Sequence, residues 1–138
     1  MRKNGQMSYG FTTYSHKEFS FYGKSFYPNL GKKIIPSNIE NLLTPLVITI
    51  WFMDDGSWKS KTHDNFIIHT LGHTKDDLER IQKVLFHKFG LDSSLHSQKN
   101  KNWRIYFPRK STQKFREMIS PLVNKFSSMK HKLGNINA

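Results

Sequence analysis

The sequence predicts an α+β domain, and three observations carry that prediction. From residue 45 onward, apolar spacing switches between helical and strand periods in the order helix, two strands, helix, two strands, helix. The length of 138 residues suits one core and leaves little room for a second. Only 36% of the residues are hydrophobic, but 14% are aromatic, and large rings supply the buried area that a short basic chain needs.

Met1 to Leu30 is aromatic and polar: Tyr9 to Tyr14 is strand-like, and Phe19 to Pro28 reads as a short helix and turn. Gly31 to Pro36 is a short strand or extended linker, after which Ser37 caps a helical turn through Ile39, Leu42 and Leu43. Thr44-Pro45 is a helix start, because the Thr hydroxyl accepts an orphan N–H and proline has none to lose. The helix runs from Pro45 to about Asp55 and is apolar nearly all round, which demands cover. Asp54 and Asp55 stand on its last turn, where the helix dipole disfavours carboxylates, and Gly56 ends it. Ser57 to Lys61 and Asn65 to Leu71 read as a hairpin around Thr62-His63-Asp64. Thr74 with Asp77 resembles a capping box, Leu78, Ile81, Val84, Leu85 and Phe89 recur at helical spacing, and Gly90 closes the helix. Ser93 to Gln98 and Trp103 to Phe107 pair around Lys99-Asn100-Lys101-Asn102 until Pro108. Ser111 caps a helix through Phe115, Met118 and Ile119, and a last helical stretch follows Pro121.

Charge points to a polyanion. The chain carries 22 Lys+Arg against 10 Asp+Glu, a net +12, which is the electrostatic footprint of a nucleic-acid partner. From Ser93 onward Glu117 is the sole acidic residue. Zero cysteines exclude disulfides, thiolate metal sites and cysteine nucleophiles. No apolar run approaches the ~20 residues of a membrane span, and Met1 to Gln6 is not the start of a secretory signal, so no membrane partner is expected. His69 and His73 have i, i+4 spacing but fall on a predicted strand and a turn, which argues against a zinc site. No phosphate-binding glycine loop or Ser/His/Asp order occurs.

The apolar helix ending in Trp51-Phe52-Met53-Asp54-Asp55-Gly56 closely resembles the signature of the LAGLIDADG homing endonucleases and their maturase relatives. The likeness extends over Phe26-Tyr27-Pro28, Lys33-Ile34-Ile35-Pro36, Ile67-Ile68-His69-Thr70, Asp77 to Gln82, Lys88-Phe89-Gly90-Leu91, Arg104 to Pro108 and Ser128 to Leu133. It implies an αββαββα repeat with a β-sheet saddle for nucleic acid. Residues 37–138 would form that domain, and residues 1–36 would resemble the end of a preceding repeat.

In that family two signature helices pack side by side, each delivering an acidic residue to a divalent cation. Carried over by motif position, Asp55 is the catalytic and metal-holding carboxylate, with Asp54 either supporting it or facing solvent. Lys132 matches a basic position that polarises water or steadies the scissile phosphate; the bland alternative is one more phosphate-positioning charge. Lys59, Lys61, Lys99, Lys101 and Arg104 are the candidate nucleic-acid contacts, with Trp58 and Tyr106 as aromatic neighbours. Glutamine and phenylalanine, common after the Thr70 position in this group, are Leu71 and His73 here. With one signature helix, the chain needs a homodimer partner or another macromolecule over Pro45 to Asp55.

Two activities follow from the resemblance. One is cleavage of double-stranded DNA with Mg²⁺ when paired with a second repeat. The other is a non-catalytic, domesticated RNA-binding protein, a splicing maturase or a structural component of an organellar ribonucleoprotein such as the mitochondrial ribosome. The skew toward Phe, Ile, Asn and Lys, with Ala138 the lone alanine, tracks AT-rich codons and points to a mitochondrial or chloroplast, organelle-encoded origin.

Overall fold

Thr44 starts the central helix as its chemistry dictates: its Oγ1 accepts the Val47 N–H at 3.2 Å, and Pro45 takes the first helical position. The computed structural model describes residues 10–29, 31–99 and 102–134. In it this helix is α3 (Pro45–Asp55), preceded by α1 (Lys17–Phe26) and α2 (Ile39–Leu42). It is followed by β1 (Gly56–Trp58), β2 (Phe66–His69), α4 (Lys75–Phe89), β3 (Ser94–Gln98), β4 (Asn102–Phe107), α5 (Arg109–Val123) and a closing 3-10 helix, Ser127–Leu133. From α3 onward this is the αββαββα order expected.

The four strands form one antiparallel sheet in the order β1-β2-β4-β3. Its register sets Phe66 opposite Phe107 and Ile68 opposite Ile105. All four are fully buried, so this parity faces the helices. Phe52 of α3 and Phe115 of α5 meet edge to face, 5.3 Å between centroids, and Phe115 stacks on Phe107 at 4.3 Å. Each buried ring contributes about 2–3 kcal/mol. The opposite parity, with Ile67, His69, Arg104, Tyr106, Ser94 and His96, lies on the other face, where Ile67 is buried, His96 is exposed and the other four are half-buried.

α4 begins and ends as its sequence dictates. Thr74 Oγ1 accepts the Asp77 N–H at 3.2 Å, and Gly90 closes the helix at φ +60°, a left-handed conformation that favours glycine. Arg80 on this helix donates to the carbonyls of Ile35 at 3.0 Å and Pro36 at 2.7 Å, which fixes the 31–36 segment on the core.

Several expectations need correction. Residues 10–14 form no strand, and Tyr9 lies outside the described residues. The first hairpin is shorter than its pattern implies. Strand pairing ends at Trp58 opposite Phe66, with one further bond from Lys59 N–H to Asn65 O at 2.9 Å; Asp64 N–H then returns to Ser60 O at 2.7 Å with Asp64 at φ +42°, so Lys61 lies in the loop. Pro108, not Ser111, occupies the cap position of α5; Ser111 and Thr112 are buried within its first turn. Pro121 sits inside α5 instead of dividing two helices. The Glu117 carbonyl that its missing N–H deserts has the Ser120 hydroxyl at 3.5 Å. α1 buries none of its residues, and its backbone link to the body is Ile34 N–H to Phe26 O at 2.8 Å.

Candidate functional site

Gly56 is required where it stands by close approach. Its φ of −93° is ordinary, but a Cβ there would collide with the Phe52 ring and carbonyl, so any side chain would push β1 off the end of α3. Asp54 and Asp55 are therefore held at the junction of the helix and the first strand, both exposed. Lys132 answers the electrostatic cost of carboxylates at this helix terminus: its Nζ donates to Met53 O at 2.5 Å and lies 3.4 Å from Asp54 O. A cation on the last carbonyls of a helix complements the dipole. The structure thus brings Lys132 to the signature residues across the whole length of the domain.

Asp55 opens onto a cleft of about 140 Å³ that it lines with Lys33, Trp51, His69, Thr70 and His73. Asp54 is not among the lining residues. The register explains the neighbours: Gly56 pairs with Ile68, which sets His69 beside Asp55 at the sheet edge. Thr70 is spent structurally, its hydroxyl donating to Trp103 O at 2.6 Å. Lys33 lies in a segment that reads as a short strand or linker and carries part of the family resemblance but no site role; the Arg80 clamp holds the following Ile35 and Pro36 on the core and so brings Lys33 to the cleft. His73 is nine-tenths buried, with 9% exposure, and its Nδ1 is sealed with no hydrogen-bond partner among the described residues. Burial, and after it the Lys33 charge, hold the His73 imidazole below the usual histidine range, against weaker opposing pulls from Asp77 and Asp55.

A second cluster supports the first and was not foreseen. Asp64 Oδ1 accepts from Trp58 Nε1 at 3.0 Å and from Arg116 at 2.5 Å, while Thr112 Oγ1 donates to Asp64 O at 2.7 Å. Arg116 also donates from Nε to Leu133 O at 3.1 Å and lies over the Phe66 ring at 5.1 Å. Partial burial pushes the Asp64 carboxyl up, but the bonds from Trp58 and Arg116 and the charges of Arg116 and Arg109 outweigh it, holding the group below its ordinary value of 3.8. The cluster ties the hairpin loop to α5 and to the residue following Lys132. Within it Trp58, the aromatic neighbour of the candidate contacts, donates to Asp64 and has Gly134 close against its ring.

The expected nucleic-acid contacts separate into groups. Arg104 sits on the open face of the sheet between His69 on β2 and His96 on β3, and Tyr106 stacks on His96 at 4.5 Å. Lys59 and Lys61 are exposed in the β1–β2 loop at one end of the strands, and Lys99 is exposed at the β3–β4 turn at the other. Lys101 lies outside the described residues.

The signature helix buries one face only. Ile48, Thr49 and Phe52 are in the core, whereas Leu46, Val47 and Ile50 are 57%, 43% and 53% exposed. The donor set fits a hard divalent cation only in part. Asp55 offers one carboxylate, Mg²⁺ characteristically takes one or two together with water and substrate phosphate, and no group of three ligating side chains occurs among the described residues. No helix among the described residues is long and apolar enough to cross a membrane.

An apolar helix carrying a carboxylate to the edge of a four-stranded antiparallel sheet with lysines in its loops is the architecture of a homing endonuclease repeat. The chain belongs to the LAGLIDADG DNA endonuclease family, whose pattern it matches over residues 1–115. It is 34% identical over 125 residues to the probable intron-encoded endonuclease 1 of Wickerhamomyces canadensis, covering 88% of this chain and 53% of that protein. It is 30% identical over 126 residues to the cytochrome b mRNA maturase bI2 of Debaryomyces hansenii, covering 91% of this chain and 46% of that one. Among solved structures it resembles the homing endonuclease I-WcaI bound to its DNA recognition sequence, with a TM-score of 0.79 and 32% identity over 88% of this chain and 54% of that one. The chain therefore spans about half the length of these relatives.

Proposed function

We propose that this chain is one half of a homing endonuclease that binds duplex DNA on the open face of its sheet and cleaves it when a second repeat is docked on α3. The single observation that carries the reading is the delivery of Asp55 and Lys132 to the same helix terminus beside that open face. Asp55 would be one oxygen ligand of Mg²⁺, which when bound supplies Lewis-acid stabilisation of the phosphodiester and an activated water. Asp54, exposed and off the cleft, takes a lesser part. Lys132 fixes the helix end, and Lys33 and Arg104, with Lys59, Lys61, Lys99 and Lys101, neutralise phosphates.

The exposed stripe Leu46, Val47 and Ile50 supports a second copy of the repeat as the partner. Residues 1–36 then correspond to the end of a preceding repeat, of which α1, burying nothing at home, would pack on the partner, and residues 37–138 form the nuclease domain. The relatives' names, intron-encoded endonuclease and cytochrome b mRNA maturase, together with the codon skew, support a mitochondrial, organelle-encoded protein. The maturase relative favours one second reading, retention of the basic saddle for intron RNA with cleavage lost.

Asp55→Asn tests both. In an endonuclease, wild type nicks plasmid DNA with Mg²⁺, the variant loses that activity by at least a hundredfold on the order of one metal ligand's worth, and gel-shift affinity is kept. A wild type that binds structured RNA and leaves DNA intact with Mg²⁺ or Mn²⁺ establishes the second reading. Equal cleavage by both proteins would refute the assignment of Asp55.

A further inference from the structure

We propose that His73 presents a neutral N–H donor to a phosphate oxygen seated in the cleft beside Asp55, making it a strand-positioning residue. The proposal rests on the nucleic-acid reading above. Position 73 is nine-tenths buried and yet lines that cleft. Histidine there costs burial free energy unless its polar edge is used.

The geometry says which edge. Nδ1 is sealed, and no partner reaches it among the described residues. A buried N–H without an acceptor is worse tolerated than a buried lone pair, so the proton belongs on Nε2. The ring lines the cleft that Asp55 and Lys33 also line, and also the adjoining apolar cleft of about 160 Å³ with Trp51 and Ile35. Nε2 is thus the one polar atom His73 has to offer. An anion between it and the Lys33 ammonium would meet one neutral and one charged donor, with Asp55 at the rim to hold a cation against it. Burial keeps the ring neutral, in agreement with its depressed basicity, so the donor persists without a charge that would attack the Asp55–metal balance.

The full chain labelled with ¹⁵N-histidine decides the matter through long-range ¹H–¹⁵N spectra. Free protein should show His73 as the Nε2–H tautomer; the Nδ1–H tautomer would overturn the proposal. Inorganic phosphate, and separately a mixed-sequence duplex with Mg²⁺, should move its Nε2 signal. His73→Phe should keep the melting temperature and lose about three- to tenfold in duplex affinity, and His73→Gln, which restores a donor, should recover part of it. A duplex that binds by gel shift yet leaves His73 unmoved, or a His73→Phe protein that binds as well as wild type, would refute the role. If phosphate moves His73 while neither duplex nor RNA binds, the anion site stands and the nucleic-acid reading falls.

Discussion

Asp64→Asn is the sharpest probe of what holds the signature region together. Asparagine tolerates the φ of +42° at this position and keeps a carbonyl oxygen for Trp58, so the substitution removes the charge and little else. The Arg116 side chain is 11% exposed and that of Asp64 31%, close enough to the interior that solvent screens their 2.5 Å contact weakly. Replacing a charge-assisted bond with a neutral one at such a site should cost about 1–2 kcal/mol, or roughly 4–8 °C in melting temperature for a domain of this size. The pH dependence follows from the depressed folded-state pKa. The unfolded chain takes up the proton first, so the carboxylate's contribution is complete well above 3.8 and is lost as pH falls below that value. Thermal melts of both proteins at neutral pH and across the acid range give the test, with Arg116→Met completing a double-mutant cycle. A gap under about 0.5 kcal/mol at pH 7, or one that stays constant through the acid range, would refute the argument.

Gly56→Ala should lower stability by about 3 kcal/mol or more, since the added methyl meets the buried Phe52 ring and backbone; a melting temperature within 3 °C of wild type on the order of measurement spread would contradict it. Ile50→Asp places a charge on the exposed stripe of α3, and sedimentation should then show loss of self-association with the monomer's circular dichroism unchanged. Wild type sedimenting as a monomer at every concentration, with or without DNA, would count against a second copy as the partner.

Local chemistry made much of the fold legible. Thr44-Pro45, Thr74 and Gly90 each act within a turn of where they stand, so α3 and α4 could be read with their ends. The strands around Asn100 were bounded well because Pro108 cannot join a ladder. Where the reading failed, a partner distant in sequence decided the outcome. The first hairpin was drawn too long because Asp64 turns toward Arg116, 52 residues on, and pulls its loop out of register with simple alternation. Ser111 falls within the first turn because α5 starts at Arg109, directly after the strand ends at Phe107 and Pro108 takes the cap position. In the candidate site, Asp55 and Lys132 both come as candidates from the family resemblance, but Lys33 needs the Arg80 clamp to bring it to the cleft.

The bond from Lys132 to the Met53 carbonyl closes a loop of 79 residues. Closing so long a loop carries an entropic cost that local turns do not, and long-range contacts of this kind form slowly. The helix that bears Asp55 can coil early from its own Thr44-Pro45 start, yet its carboxyl end stays uncompensated until the 3-10 helix arrives. Assembly of the reactive end is therefore a late event, contingent on nearly all the rest of the domain having settled. A half-made chain would hold the four-stranded sheet before the end of α3 gained the cation that compensates it.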